Sequence, residues 1–285
     1  MSKTTYTPQG RIIEDENQGK ALSDLYVMFH ELISSRELIW RWFLRDFKAR
    51  YRQTVLGVLW AILMPIITVG IFVGMNRSGV FQAGEMKVPY PLFALVGVTV
   101  WGVFSTALSS ACSSLINAGS MLVKINFPKI SLVITSTGQG LVDLLIKAAL
   151  VCGLMLWYGI IPDPVGVFLA IPAIIPLYLL TLGMGFVFSL ASGVLRDIPN
   201  IINVLLMIFM LFTPVLYIPP EGTLLYRMNI YNPLNYLVNG PRELLLSGEL
   251  ICFGGFMSFS IIAILIFFVG WRLFYVAQTK VAERL

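Results

Sequence analysis

Histidine is all but missing from this chain, with His30 the single instance. Charge is scarce too, since Asp, Glu, Lys and Arg together make up 12% of 285 residues. Soluble domains carry about 25% charged residues, so a water-facing fold of this length would lack the polar surface to cover itself. The three cysteines, Cys112, Cys152 and Cys252, lie in apolar stretches with neither a CxxC pair nor a Cys/His ligand spacing. They read as small apolar packing residues. No HExxH, GxSxG or GxxxxGK[ST] occurs, so metal hydrolysis, a serine triad and a nucleotide-binding P-loop have no visible basis. Gly183-Met184-Gly185 imitates part of a dinucleotide fingerprint, but it sits inside an apolar run with no strand before it. The first twenty residues are polar and the stretch includes Glu14, Asp15 and Glu16, which predicts no cleaved signal peptide and a cytoplasmic N-terminus. The formal charge of +5 is modest and unevenly placed, and implies no nucleic-acid partner.

What is present is apolar, 57% of the chain. A bilayer core about 30 Å thick takes about 20 apolar residues of helix. Between Arg52 and Arg77 lie 24 uncharged residues, a first crossing. Val88 to Val123 gives 36, richest from Pro91 to Ala111, with the Ser- and Asn-containing remainder to Ser120 as the membrane exit. Further crossings are predicted over Ile130 to Trp157, Pro164 to Leu195 (loosened by Pro172 and Pro176), Ile198 to Pro220 and Leu250 to Trp271. The expectation is an all-α membrane protein with six transmembrane helices. Met228 to Pro241 is uncharged but only 14 residues long, and it contains Asn229, Asn232, Asn235 and Asn239. Too short and too polar to span, it predicts re-entrant or interfacial helices between the fifth and sixth crossings. Twelve Lys and Arg near the membrane then fall inside and four (Arg77, Lys87, Arg227, Arg242) outside, which places both termini in the cytoplasm.

Three elements suggest mechanism. Before the first crossing, Arg41, Arg45, Lys48 and Arg52 recur at i, i+4, i+7 and i+11, with Trp40, Phe43, Phe47 and Tyr51 on the far side. This is the pattern of an amphipathic helix lying in the membrane interface, with its cations toward headgroups, a partner or a lipid phosphate. The predicted cytoplasmic loop around Met121, Lys124, Ile125, Phe127, Pro128 and Lys129 interleaves apolar residues with cations. Exposed apolar groups there point to a docking surface, with packing on the bilayer as the plainer account. Asp143 and Lys147, four apart inside the third crossing, are placed to neutralise each other on one helix face. Gly70 and Gly74 form a GxxxG in the first crossing, a common aid to close helix approach.

Taken together these blocks resemble the membrane subunits of type-2 ABC exporters that move lipid-linked polysaccharides such as O-antigen, capsule or teichoic acid. The resemblance is carried by Arg45 through Gly57 with Trp60 and Pro65, and by Val123 through Lys129. It continues through Arg196-Asp197-Ile198 with Thr213-Pro214-Val215 and Tyr217, and through Asn232-Pro233-Leu234 to Arg242-Glu243 and Leu244-Leu245. One departure is Pro241, where the family more often has a bulkier residue. The resemblance implies a homodimer in the inner membrane, served by a separate ABC ATPase subunit that binds ATP and Mg, with no cofactor in this chain. It implies that the loop at 118–130 couples to that ATPase and that the first and fifth crossings line the channel, with Trp60, Phe209, Phe212 and Tyr217 against the glycan. It also implies that Arg41, Arg45, Lys48 and Arg52 guide the anionic lipid head. The expected organisation is a cytoplasmic segment at 1–33, the interfacial helix at 34–51, and the transmembrane domain at 52–277. The re-entrant region lies within that domain at 219–249, and a cytoplasmic tail follows at 278–285. Other cargoes (teichoic acid, capsule, another amphipathic glycolipid or a drug) fit the same layout. A membrane-embedded transferase on polyisoprenoid-linked sugars would need an acid cluster or an interfacial histidine that the sequence lacks. A secondary carrier would lean on Asp143 and Lys147 and should show internal repeats.

Overall fold

The computed structural model describes residues 5–6, 12–13, 33, 36–52, 57, 59–80, 83–84, 86–119 and 129–282. Apart from a two-residue antiparallel pairing of Thr5–Tyr6 with Ile12–Ile13, the described elements are helices. They are α1 (Arg36–Arg52), α2 (Leu59–Arg77), α3 (Tyr90–Ala118), α4 (Ile130–Tyr158), α5 (Pro164–Ala173), α6 (Ile175–Val194), α7 (Ile198–Phe212), α8 (Leu224–Ile230), α9 (Pro233–Ser247) and α10 (Phe253–Ala282).

Five stretches are long and apolar enough to cross a membrane: α2, α3, α4, α5 with α6 taken together, and α10. The predicted fifth crossing behaves differently. Its helix, α7, has 15 residues, about 22 Å at 1.5 Å per residue, short of a 30 Å core. Pro214 explains the stop. A proline disfavours helical backbone at the residue before it, and Thr213 is extended (φ −84°, ψ 135°). In α3 the helix runs unbroken through the serine-rich stretch expected as a membrane exit. Ser113 and Ser114 turn their hydroxyls back onto the carbonyls of Ser109 and Ala111, at 3.3 and 2.7 Å, so neither hydroxyl needs water. Pro172 and Pro176 do mark a break, between α5 and α6 at Ile174.

α3 is the hub. Every residue from Leu92 to Phe104 is buried, and the helix packs on α4, α6, α2, α7 and α9. Lipid tails are as apolar as leucine, so close packing rather than escape from water holds such a bundle together. α6 and α10 meet backbone to backbone. A Cβ added to Gly270 would lie 2.2 Å from the Gly183 carbonyl oxygen, and one on Gly183 would lie 2.6 Å from the Ile266 carbonyl oxygen. Beside this contact Phe186, Trp271 and Phe274 interlock, each at most 2% exposed. Gly70 and Gly74, by contrast, have nothing within 4 Å of an added Cβ.

Candidate functional site

α2 and α7 rest on the hub by narrow stripes, Pro65 and Val69 from one and Ile202 and Leu206 from the other. Between them a cavity of about 430 Å³ opens, lined by Trp60, Thr68, Trp101, Ser105, Asp143 and Lys147, with Met210 of α7 on its rim. On its wall, Lys147 Nζ donates to Asp143 Oδ2 at 2.6 Å, with the two side chains only 11% and 13% exposed. Thr106 of α3 donates to the same oxygen at 3.2 Å. An isolated charge at the centre of a spanning helix is disfavoured by roughly 2.5–3.5 kcal/mol, and the pairing offsets that penalty for both groups. The expected self-neutralisation is therefore what the helix does. Gly102 makes room for it, because a Cβ there would lie 2.8 Å from both Asp143 Oδ2 and Lys147 Nζ.

At the end of the bundle remote from α1, a second arrangement holds the chain after α7. Thr213, Pro214, Val215 and Leu216 are buried without helical structure, so their carbonyls must find donors elsewhere. Arg242 of α9 supplies them, donating to Val215 O at 2.8 Å and Pro214 O at 3.2 Å. Its guanidinium also bonds Asn239 Oδ1 and lies 3.8 Å from the centre of the Phe93 ring. Burial pulls the Arg242 pKa down to about 9 while neighbouring Glu243 pushes it back up, so it stays charged at neutral pH. Burial pushes the Glu243 carboxyl up, against the Ile251 backbone N–H that donates to it at 3.0 Å. The asparagines that made this stretch too polar to span form a ladder. Asn229 donates to Phe212 O at 3.0 Å, Asn232 to Thr213 Oγ1 at 3.1 Å, and Asn239 to Asn235 Oδ1 at 2.7 Å. Gly97 lets α3 reach this segment, since a Cβ there would be 2.2 Å from Val215 O.

α1 packs on α4, where Phe43 lies against Gly138 and Thr135 Oγ1 donates to Ile39 O at 3.4 Å. Part of the aromatic face thus seats on protein, while Trp40 stays exposed. Arg41 pairs with Glu37 at 2.8 Å in the open. Arg45 pairs with Asp46 at 2.8 Å and stacks 4.0 Å from the Trp42 ring centre. Beside it a second cleft of about 440 Å³ is walled by Ser114, Asn117, Ser136 and Gln139. Lys48 is exposed, and the side chain of Arg52 lies outside the described residues. So do Met121, Lys124, Ile125, Phe127 and Pro128, whereas Lys129 is half-buried at the start of α4. Among the four aromatics, Trp60 lines the first cavity. Phe209 and Phe212 are about half exposed on α7. Tyr217 donates its hydroxyl to Leu211 O at 2.8 Å, closing the end of that helix. Trp101 and Gly102 fell outside the sequence reading because nothing in a uniformly apolar run marks which positions face a cavity.

The chain matches the family model described as ABC-2 type transporter over residues 37–246. It is 28% identical over 191 residues to an O-antigen export system permease protein RfbA of Myxococcus xanthus, covering 67% of this chain and 72% of the relative. A protein of the same description from Klebsiella pneumoniae is 25% identical over 212 residues, covering 72% and 79%. The polysialic acid transport protein KpsM of Escherichia coli is 26% identical over 223 residues, covering 72% and 80%. With the family match spanning the helices that build both the cavity and the arginine-pinned segment, the chain belongs to the ABC-2 type transporters, as a multi-pass membrane permease.

Proposed function

We propose that this chain is the permease half of an ATP-driven exporter that carries lipid-linked polysaccharide, of O-antigen type, across the inner membrane. The similarity to glycan-export permeases over about two thirds or more of the chain carries this reading. An acidic, capsule-like glycan is the second reading, favoured by the polysialic acid relative. Two copies assemble with an ABC ATPase that binds ATP and Mg. Six crossings with both termini inside follow if α7 and the irregular segment 213–218 cross together, and the bonding of that segment to Arg242 of α9 and to Asn232 at its start supports this. On this layout α8 and α9 are the re-entrant pair, and the domain limits are those read from the sequence. Arg242 leaves the tally of outer cations because it is 4% exposed inside protein, and the inside excess grows.

Mechanically, the loop at 118–130 takes the ATPase stroke and passes it to α3 and α4, which it joins. Driving a gate from 1:99 to 99:1 takes about 5.5 kcal/mol of differential stabilisation, so the docked loop must be firmly held. α1 presents Arg41, Arg45, Lys48 and Arg52 to the anionic lipid head, and α2 and α7 bring Trp60, Phe209, Phe212 and Tyr217 to the glycan path. The reading is tested by co-expression with an ABC ATPase subunit and reconstitution in liposomes. Stable co-purification and ATP-dependent glycan export are expected. Export without the ATPase, or failure to assemble with it, would sink the reading. Lys124→Glu combined with Phe127→Ala is expected to lower cargo-stimulated ATPase activity about tenfold while the chain still inserts. Unchanged stimulation would argue against docking at this loop.

A further inference from the structure

We infer that the cleft between α1, α3 and α4 holds the phosphoethanolamine headgroup of a membrane phospholipid, as a resident lipid separate from the cargo. The site goes beyond the exporter reading and stands whether or not the chain exports glycan.

The wall dictates what a ligand must offer. Arg45 and Asp46 line the cleft from α1, Ser114 and Asn117 from α3, and Ser136 and Gln139 from α4. Gln139 is only 6% exposed, yet its Oε1 has no donor among the described residues. An enclosed amide without a partner bears its desolvation uncompensated, and by turning about its last bond it can present either a carbonyl or an NH2 to a ligand. Arg45 donates twice to Asp46 Oδ1, at 3.0 and 2.8 Å, while Asp46 Oδ2 accepts no bond among the described residues. These two are the only charged groups in the lining and they cancel. A bare phosphate would gain Arg45 but meet the Asp46 carboxylate beside it, and a pyrophosphate, with more negative charge, fits worse. A zwitterion satisfies both, with its phosphate on Arg45 and its ammonium on Asp46 Oδ2 and Gln139. Ethanolamine suits this wall better than choline, because its ammonium has N–H donors for those acceptors and a quaternary ammonium has none. The aromatic face that could hold a quaternary group, that of Trp42, is already covered by Arg45 at 4.0 Å. The cleft volume of about 440 Å³ falls within the roughly 300–1,000 Å³ of small-molecule sites.

Position supports the same assignment. α3 and α4 have 29 residues each, about 43 Å of helix, so each outruns a 30 Å hydrocarbon core by about 13 Å. Ser110, Ser113, Ser114 and Asn117 gather at the end of α3 that meets α1, which places much of that excess here. The cleft occupies this end, from Ser110 to Ala118 on α3 and from Leu132 to Gln139 on α4. Polar side chains at such a level face headgroups rather than acyl chains. Arg45 also belongs to the stripe assigned to the cargo head, whereas Asp46 and Gln139 belong to the cleft alone, so the variants below are drawn from those two.

The test places the full chain in nanodiscs of phosphatidylethanolamine, phosphatidylcholine and phosphatidylglycerol, in equal amounts and with matched acyl chains. p-Benzoylphenylalanine replaces Asn117, an exposed residue of the cleft wall, and the lipid attached on irradiation is identified by mass spectrometry. The ethanolamine lipid is expected to exceed each of the others about fivefold. Gln139→Leu keeps the bulk, removes the amide and should cut that excess to about twofold. Asp46→Asn leaves Arg45 as the only charge in the lining and should turn the preference to the glycerol lipid. Asp46 sits on the surface helix α1 with its side chain 30% exposed, so this variant keeps the site testable if Gln139→Leu fails to fold. Equal labelling by the three lipids, an excess of the choline or glycerol lipid with the wall otherwise intact, or an unchanged preference in either variant overturns the site. A last arm adds a trace of polyisoprenyl diphosphate. Unchanged labelling is expected, whereas displacement of the ethanolamine lipid would give the cleft to a cargo-type head and overturn the resident lipid.

Discussion

Arg242→Ala is expected to lower the melting temperature of the detergent-solubilised chain by about 10 °C, from a loss of roughly 3–5 kcal/mol. The reasoning starts at Pro214. Because the helix stops there, the carbonyls of Pro214 and Val215 are buried without a helical partner, and the Arg242 guanidinium donates to both. A hydrogen bond to a charged group contributes about 1.5–3 kcal/mol net, and truncation leaves its acceptors to bear their desolvation penalty. The Phe93 ring loses its cation as well, a contact worth up to about 2 kcal/mol when desolvated. These terms share one side chain and do not add in full, which keeps the total near the stated range. Arg242→Lys should fall between alanine and wild type, since an ammonium keeps the charge but loses the planar fork that reaches two carbonyls at once. Arg242→Met fills a similar volume without donors. If the methionine variant melts with the wild type, the bonds to residues 214 and 215 contribute nothing and this account of the segment is wrong. Export should fall in parallel, because the same bonds fix the end of α7 that flanks the cavity.

That arginine also marks how far the sequence could be read. Scarce charge and long uncharged runs gave the membrane class and two of the spans nearly to the residue, Ile130–Tyr158 and Pro164–Val194, because hydropathy reports a helix's length whatever it packs against. The asparagine-rich stretch was recognisable as non-spanning on the same grounds. What the ladder and Arg242 bind was not legible, since carbonyl acceptors of an unwound segment leave no mark in side-chain identity. Arg242 looked like an outer loop cation for that reason. The Asp143–Lys147 pairing was legible, as i, i+4 spacing fixes it within one helix. The cavity that it faces depends on three other helices and on the bare surface at Gly102. The length of α7 was overestimated because hydropathy counts Thr213 to Pro220 as apolar, whereas Pro214 ends the helix. Glycine misled in the opposite direction: the GxxxG at Gly70 and Gly74 was visible, and within this chain it touches nothing.

The close glycine contact lies instead between α6 and α10, and the second large effect is expected there. Gly270→Ala places a Cβ 2.2 Å from the Gly183 carbonyl oxygen and 2.8 Å from its carbonyl carbon, against an ordinary carbon contact of about 3.5–4.0 Å. The neighbour is backbone, so no side chain can rotate away. The helices must separate by about 1 Å or more, and overpacking of this kind costs about 1–3 kcal/mol. Here the upper end applies, because Phe186, Trp271 and Phe274 loosen together. A fall of about 5–10 °C in melting temperature is expected for alanine, and Gly270→Leu should fail to accumulate in the membrane. Gly183→Ala should cost a similar amount, since its Cβ would meet Ile266 O at 2.6 Å and Phe267 Cα at 2.7 Å. The double alanine variant should lose less than the sum of the two, because helices parted by one methyl have already made room for the second. Gly70→Ala is the matching control, changing a helical glycine with open space around it, and should melt at or slightly above the wild type. Should Gly270→Ala melt with the control, α6 and α10 do not meet backbone to backbone. The rigid seam that steadies α6 against the hub would then have to lie elsewhere.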